Sequence, residues 1–187
     1  MRASYRRNEN IDMFRSHFVA AFLACAVLTP TAQAATLLTP EGEPIGGKFQ
    51  SWVDHSRVPV PETVFLALTA CPSQEGTSCT GPGLPIFLSP DQWSPRAALY
   101  HELGHQFDYQ VVTDRDRVIF LRLLGVGGPW RSGGPDSPHE RFAEAYGLCA
   151  KTGLSNRSGR GRVNGAYGYT VTKRRHWRLC LAIQRLG

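Results

Sequence analysis

The stretch Arg96–Gln110, RAALYHELGHQFDYQ, decides how the rest of the chain is interpreted. It contains the pattern His-Glu-x-x-His, formed by His101, Glu102 and His105. Ser94-Pro95 comes just before it and predicts a helix N-cap followed by proline in the first turn. Residues four apart project from one face of a helix, so both imidazoles can reach one metal ion about 2.0–2.1 Å away. Glu102 lies beside them, where it can take a proton from water. The stretch therefore predicts a catalytic Zn²⁺ site on a helix that ends at about Gln110.

The third metal ligand must come from elsewhere in the chain. A catalytic zinc ion usually has three protein ligands and one water. One class of zinc enzymes places a glycine three residues and a histidine six residues after the second histidine. Here those positions are Asp108 and Val111, so that class is excluded. Asp108 itself either braces the site or is an exposed acid.

Two glutamates are the candidates for the third ligand. Glu140 and Glu144 are the only acidic residues after Asp136, and Ser137-Pro138 predicts that they lie on a helix running to about Ala150. Being four apart, they face the same side, where their repulsion would be relieved by a cation. The alternative is that both are surface acids stabilised by the helix dipole. A ligand role for the neighbouring His139 is disfavoured, since it points about 100° away around the helix.

The motif HELGHQFD resembles the active-site helix of zincin metallopeptidases. The segment ERFAEAY resembles the ligand helix of the anthrax lethal factor-like peptidases, although Arg141 replaces an aromatic residue of that pattern. The resemblance implies a gluzincin-type enzyme in which Glu140 is the third ligand. It also implies that Glu144 accepts a hydrogen bond from a ligand histidine. The implied activity is hydrolysis of peptide bonds, with Glu102 as the general base.

The donor that would stabilise the oxyanion is not in the place that the resemblance implies. Lethal factor-like enzymes have a tyrosine shortly before the glutamate ligand, and the corresponding loop PWRSGGPDSPHE contains none. The segment GAYGYTV supplies Tyr167 and Tyr169, and we predict that one of them donates to the oxyanion. Arg131 and His139 are the alternatives.

The remaining patterns predict an α+β fold. The segments TVFLALTA and LPIFLSP are typical of strands, and the prolines around the second indicate an edge strand. An extended peptide could pair with that edge strand. We expect a zincin-like domain with a short antiparallel or mixed sheet, an edge strand over the active-site helix, and a helix-rich C-terminal part. Thr113 or Asp114 and Thr172 are predicted N-caps of two further helices, and the glycine-rich residues 151–169 are predicted to form a mobile loop.

The N-terminal region predicts export. Four arginines, an apolar run over residues 18–28 and the triplet Ala32-Gln33-Ala34 are typical of a signal peptide over residues 1–34, with Met13 as an alternative start. Residues 35–187 then form one domain, which we expect to be a monomer without stable membrane insertion, secreted or in the periplasm. Four of its residues are cysteines, and oxidising compartments favour disulfides. Cys71 and Cys79 flank a turn-rich stretch suited to a local bridge, which leaves Cys149 to pair with Cys180.

The charge of the chain is compatible with several partners. Its net charge is +6, and basic residues are concentrated in NRSGRGR and KRRHWR. This pattern favours a solvated basic surface over one that binds an anionic envelope or acidic substrates, and no motif indicates nucleic-acid binding. A peptide or protein substrate is the expected partner. Two alternatives stay open: a zincin-fold binding module with little or no activity, acting at the envelope or on a protein, and a structural zinc protein.

Overall fold

The structure, a computed structural model, describes residues 35–155 and 160–187, which lie in one unit. Its helices are α1 (Gly47–Asp54), α2 (Pro95–Gln110), α3 (Asp114–Leu124), α4 (Pro138–Thr152) and α5 (Lys173–Gln184). Its strands are β1 (Thr36–Leu38), β2 (Thr63–Ala67), β3 (Ile86–Phe87), β4 (Arg162–Asn164) and β5 (Thr170–Thr172). The fold is therefore α+β, as predicted. The predicted signal peptide lies outside the described residues, as do residues 156–159 of the predicted loop.

Strands β1, β2 and β3 form a three-stranded sheet in that order, and both pairings are parallel. The prediction of an antiparallel or mixed sheet was wrong for these strands. Parallel neighbours need a crossover connection, and α1 lies in the one between β1 and β2. Antiparallel pairing occurs instead between β4, which lies within the predicted loop, and β5, which follows that loop directly. Strands of two or three residues are too short to show the alternation by which a strand is recognised in a sequence.

The outer edge of β3 is already paired. The Phe87 N–H donates to the Cys79 carbonyl at 2.8 Å, and the Cys79 N–H donates to the Phe87 carbonyl at 3.0 Å. The Cys71–Cys79 disulfide closes the loop that carries this segment. Position 87 therefore has no free backbone groups, and the predicted pairing of a peptide with β3 is obstructed there.

Three of the four predicted helix caps are confirmed, whereas Ser94 stands at the N-cap position of α2 without a side-chain cap hydrogen bond. The Thr113 hydroxyl accepts from the Asp116 N–H, and the Asp116 carboxylate accepts from the Thr113 N–H, which together form a capping box on α3. Ser137 accepts from the Glu140 N–H at the start of α4, and Thr172 caps α5 in the same way. Each cap satisfies a backbone N–H that the helix itself leaves unpaired.

The contact between α2 and α4 positions the site. Gly104 lies where the helices cross, and a Cβ atom there would be 2.8 Å from Ala143 Cα and 2.9 Å from the Ala143 carbonyl oxygen. Only a hydrogen fits at this point, so the two backbones approach closely and the face that carries the histidines meets the face that carries the glutamates. A second disulfide, Cys149–Cys180, links α4 to α5, so both predicted disulfides are present.

Candidate metal centre

Three side-chain atoms converge between α2 and α4. The Nε2 atom of His101 lies 3.1 Å from both His105 Nε2 and Glu140 Oε2, and the last two atoms are 3.3 Å apart. Ligands about 2.0–2.1 Å from a tetrahedral metal ion are separated by roughly 3.3 Å. The triangle therefore fits the spacing around such an ion. Among the described residues, the side chains that could share a metal ion at this point are His101, His105 and Glu140.

The electrostatics of the triangle favour positive charge at its centre. Burial alone would lower the pKa of His101, but the carboxylates of Glu140 and Glu144 raise it to about 9. Burial alone would raise the pKa of Glu140, but hydrogen bonds from His101 and His105 hold it well below its usual range. The carboxylate is thus kept ionised beside nitrogen donors, which is what a cation requires.

Glu102 lies next to the triangle and has an unused oxygen. Glu102 is 5 % exposed, and its Oε2 atom has no hydrogen-bond partner among the described residues. Burial raises the pKa of Glu102, although His105 and His101 oppose this shift. A buried carboxylate oxygen without a partner is expensive unless a water or another polar group occupies the site. This observation favours a water or another polar group between Glu102 and the triangle.

Glu144 links a histidine of the triangle to the β4–β5 hairpin. One carboxylate oxygen lies 3.5 Å from His101 Nδ1, and the other accepts a hydrogen bond from the Ala166 N–H at 3.1 Å. Burial would raise the pKa of Glu144, but these two interactions lower it. Glu144 therefore lies on the far side of the His101 ring from Glu140, and the 3.5 Å approach is an ion-pair distance, since His101 Nδ1 makes no hydrogen bond within the described residues.

Asp108 is completely buried, so the interpretation as an exposed acid was wrong. Its carboxylate accepts hydrogen bonds from Arg117 Nε at 2.9 Å, Trp130 Nε1 at 3.1 Å and Arg131 Nη2 at 3.3 Å. Arg117 lies on α3, and the other two donors lie in the loop before α4. The cluster therefore braces that loop against α2. Arg131, an alternative oxyanion donor, has its guanidinium engaged here.

His139 occupies a place that sequence reasoning did not anticipate. Its Nε2 atom lies 3.0 Å from His105 Nδ1, and burial and the neighbouring His105 lower the pKa of His139 to about 4. The ring is therefore neutral near pH 7. The only signal in the sequence was that His139 adjoins Glu140, and the helix geometry alone argued against contact with the ligand face.

The structure separates the two tyrosines that were predicted to donate to the oxyanion. The Tyr167 ring stacks on the His101 ring with 4.4 Å between centroids, and burial raises the pKa of its hydroxyl, which stays protonated at neutral pH. Tyr169 is buried, with its hydroxyl 2.7 Å from His176 Nδ1. The prediction is corrected accordingly: Tyr169 is committed to the core, and Tyr167 lies beside the candidate metal centre.

A pocket of about 350 Å³ adjoins the triangle. Its lining includes His101, Glu102 and Tyr167, together with the exposed Trp93. Tyr167 has φ 51°, a left-handed conformation that is rare for a residue with a side chain. Strained backbone of this kind is often found at functional sites. Trp93 carried no motif, and its place at the pocket follows from the loop between β3 and α2.

No family model, curated protein or solved structure matches this chain. Across the described ranges, none of the helices is sufficiently long and apolar to span a bilayer.

Proposed function

We propose that the protein is a zinc-dependent metallopeptidase of the gluzincin type, with a zincin-like fold. The observation that carries this proposal is the triangle of His101, His105 and Glu140 beside the unpartnered oxygen of Glu102. Two imidazoles and one carboxylate form a ligand set used by catalytic zinc. Among the described residues the group has three members, which leaves a coordination position open and favours a catalytic over a closed structural site.

The residues divide the work of hydrolysis among them. His101, His105 and Glu140 would hold the ion. Bound zinc would lower the pKa of a water molecule and would polarise the substrate carbonyl. Glu102 accepts the proton of the attacking water, and its raised pKa makes it a stronger base than an exposed glutamate. It then returns that proton to the leaving amine.

The pocket supplies the place for the peptide. Tyr167 lines the pocket and its hydroxyl is protonated at neutral pH, so it is the side chain we assign as hydrogen-bond donor to the oxyanion. The exposed indole of Trp93, on the same pocket, is suited to contact an apolar side chain of the substrate. Peptides and proteins are therefore the proposed substrates.

We place the protein outside the cytoplasm. Two disulfides support this location, because such bonds persist in oxidising compartments. The signal-like sequence over residues 1–34 agrees with it.

The substitution Glu102→Gln tests the mechanism. It removes the base but keeps the shape, so peptide cleavage should fall by about 10²–10⁴-fold while zinc stays bound. Cleavage of a mixed peptide library is followed by mass spectrometry, and bound zinc by atomic absorption. Glu62→Gln, which changes an exposed acid, is the matched control and should behave as wild type. Full activity of zinc-loaded Glu102→Gln would refute the mechanism.

The same assay separates the alternative functions. A wild-type protein that binds zinc but cleaves nothing in the library would favour the binding module. A fourth protein ligand in a zinc-bound crystal structure would favour the structural site.

A further inference from the structure

His139 is a buried side chain that lies between a proposed metal ligand and the carboxylate of Asp108. Its Nε2 atom is 3.0 Å from His105 Nδ1 and 3.4 Å from Asp108 Oδ2. The rings of His139 and His105 are 4.2 Å apart at their centroids, with a tilt of 38°. A backbone hydrogen bond from the His139 N–H to the Trp130 carbonyl, 3.1 Å long, anchors the start of α4 beside the loop before it.

The orientation of the His105 ring in the triangle determines which of its two ring nitrogens carries the hydrogen. Its Nε2 atom is the one that points at His101 and Glu140. A neutral imidazole that binds a metal through Nε2 carries its hydrogen on Nδ1. That Nδ1–H is buried, and a buried N–H without an acceptor is strongly unfavourable. The atom that the structure places within hydrogen-bond distance of it is His139 Nε2.

Asp108 does not need a hydrogen bond from His139. Its Oδ1 atom accepts from Arg117, and its Oδ2 atom accepts from Trp130 and Arg131. The contact of His139 with Oδ2 is longer than its contact with His105. The His139 Nε2 atom is therefore free to present its lone pair to His105. Asp108 acts on His139 indirectly, because its hydrogen bonds fix the loop that leads into α4.

We propose that His139 is a positioning residue, which accepts the Nδ1–H of His105 and so fixes the tautomer and ring orientation that direct Nε2 towards the metal. This inference rests on the proposed function, because it takes His105 to be a zinc ligand. Metal-ligating histidines commonly donate their second N–H to a carboxylate, a carbonyl or water. Here a second imidazole takes that place.

The test compares His139→Phe, which retains a ring but has no acceptor, with His139→Gln, whose amide oxygen can accept. Zinc affinity of the full chain is measured by competition with a chromogenic chelator, and folding of the metal-free proteins by circular dichroism. We expect His139→Phe to weaken zinc binding by about 10–100-fold and His139→Gln to restore most of the loss. His55→Phe, on the exposed C-cap of α1, is the matched control and should bind as wild type.

Wild-type zinc affinity in His139→Phe, or a loss in His139→Gln as large as in His139→Phe, would overturn the proposal. If the variants fail to fold, nitrogen-15 NMR of the zinc-loaded wild type decides: a hydrogen-bonded proton on His105 Nδ1, coupled to His139 Nε2, is the expected signal. Its absence, or a proton on His139 Nε2, would contradict the assignment. A wild-type protein that binds no zinc would instead refute the proposed function itself.

Discussion

The close approach of α2 and α4 predicts that Gly104→Ala will distort the candidate metal centre without removing any of its ligands. The added Cβ would lie 2.8 Å from Ala143 Cα, whereas carbon atoms pack best at about 3.5–4.0 Å. Unless the contact is relieved elsewhere, α4 must retreat by roughly 0.7–1.2 Å, and Glu140 moves with it. Metal–ligand distances tolerate only about 0.2 Å, so we expect zinc affinity to fall by on the order of tenfold or more.

Stability should change less than the site does. Overpacking of a core costs about 1–3 kcal/mol, while replacement of glycine by alanine within a helix contributes about 1 kcal/mol in the opposite direction. We expect a net loss of about 1 kcal/mol in the free energy of unfolding, measured in urea on the metal-free protein. Peptide cleavage should fall by about 10²-fold, because a misplacement near 1 Å is that costly to a reaction.

A second glycine in the same contact provides the control. A Cβ at Gly147 on α4 would lie 3.4 Å from the His101 nitrogen and the Tyr100 carbonyl carbon, which is close to ordinary contact. Gly147→Ala should therefore keep its zinc affinity and be as stable as wild type, or more stable by up to about 1 kcal/mol. Wild-type stability and zinc affinity in Gly104→Ala would refute the claim that this crossing sets the geometry of the triangle.

Two further predictions concern the core and the pocket wall. Burial lowers the pKa of His176 from 6.5 to about 4, so about 3 kcal/mol of stability is fully present above pH 6.5 and is lost as the pH falls towards 4. Urea unfolding of the metal-free protein at a series of pH values should show this loss. His176→Phe cannot titrate at this position, so its free energy of unfolding should fall less between pH 6.5 and 4. The same pH dependence in wild type and His176→Phe would contradict the assignment. Tyr167→Phe should lower kcat by about 10²-fold with little change in KM, whereas Tyr169→Phe should leave kcat unchanged; the reverse ranking would move the donor role away from Tyr167.

The sequence predicted those parts of the site that depend on local geometry. The spacing within α2 places His101 and His105 on one face, and the Ser137 cap fixes where α4 begins, so the glutamates could be assigned to one side of a helix. The contacts of Asp108 and His139 could not be predicted, because they depend on how the loop at residues 126–137 folds back onto α2. No local pattern encodes that path, since it is fixed by hydrogen bonds from separate elements.

The two glutamates on α4 are not interchangeable, and one imidazole shows why. Glu140 lies 3.1 Å from the Nε2 atom of His101, and Glu144 lies 3.5 Å from its Nδ1 atom. Residues one helical turn apart therefore face opposite edges of the same ring. The carboxylate at the Nε2 edge also faces His105, so it alone can share an ion with both histidines. The carboxylate at the Nδ1 edge is bound to Ala166, so it can orient the ring and hold the hairpin that carries Tyr167. The two carboxylates therefore do not simply repel each other, because each contacts a different edge of the His101 ring and makes its own second contact, with His105 or with Ala166.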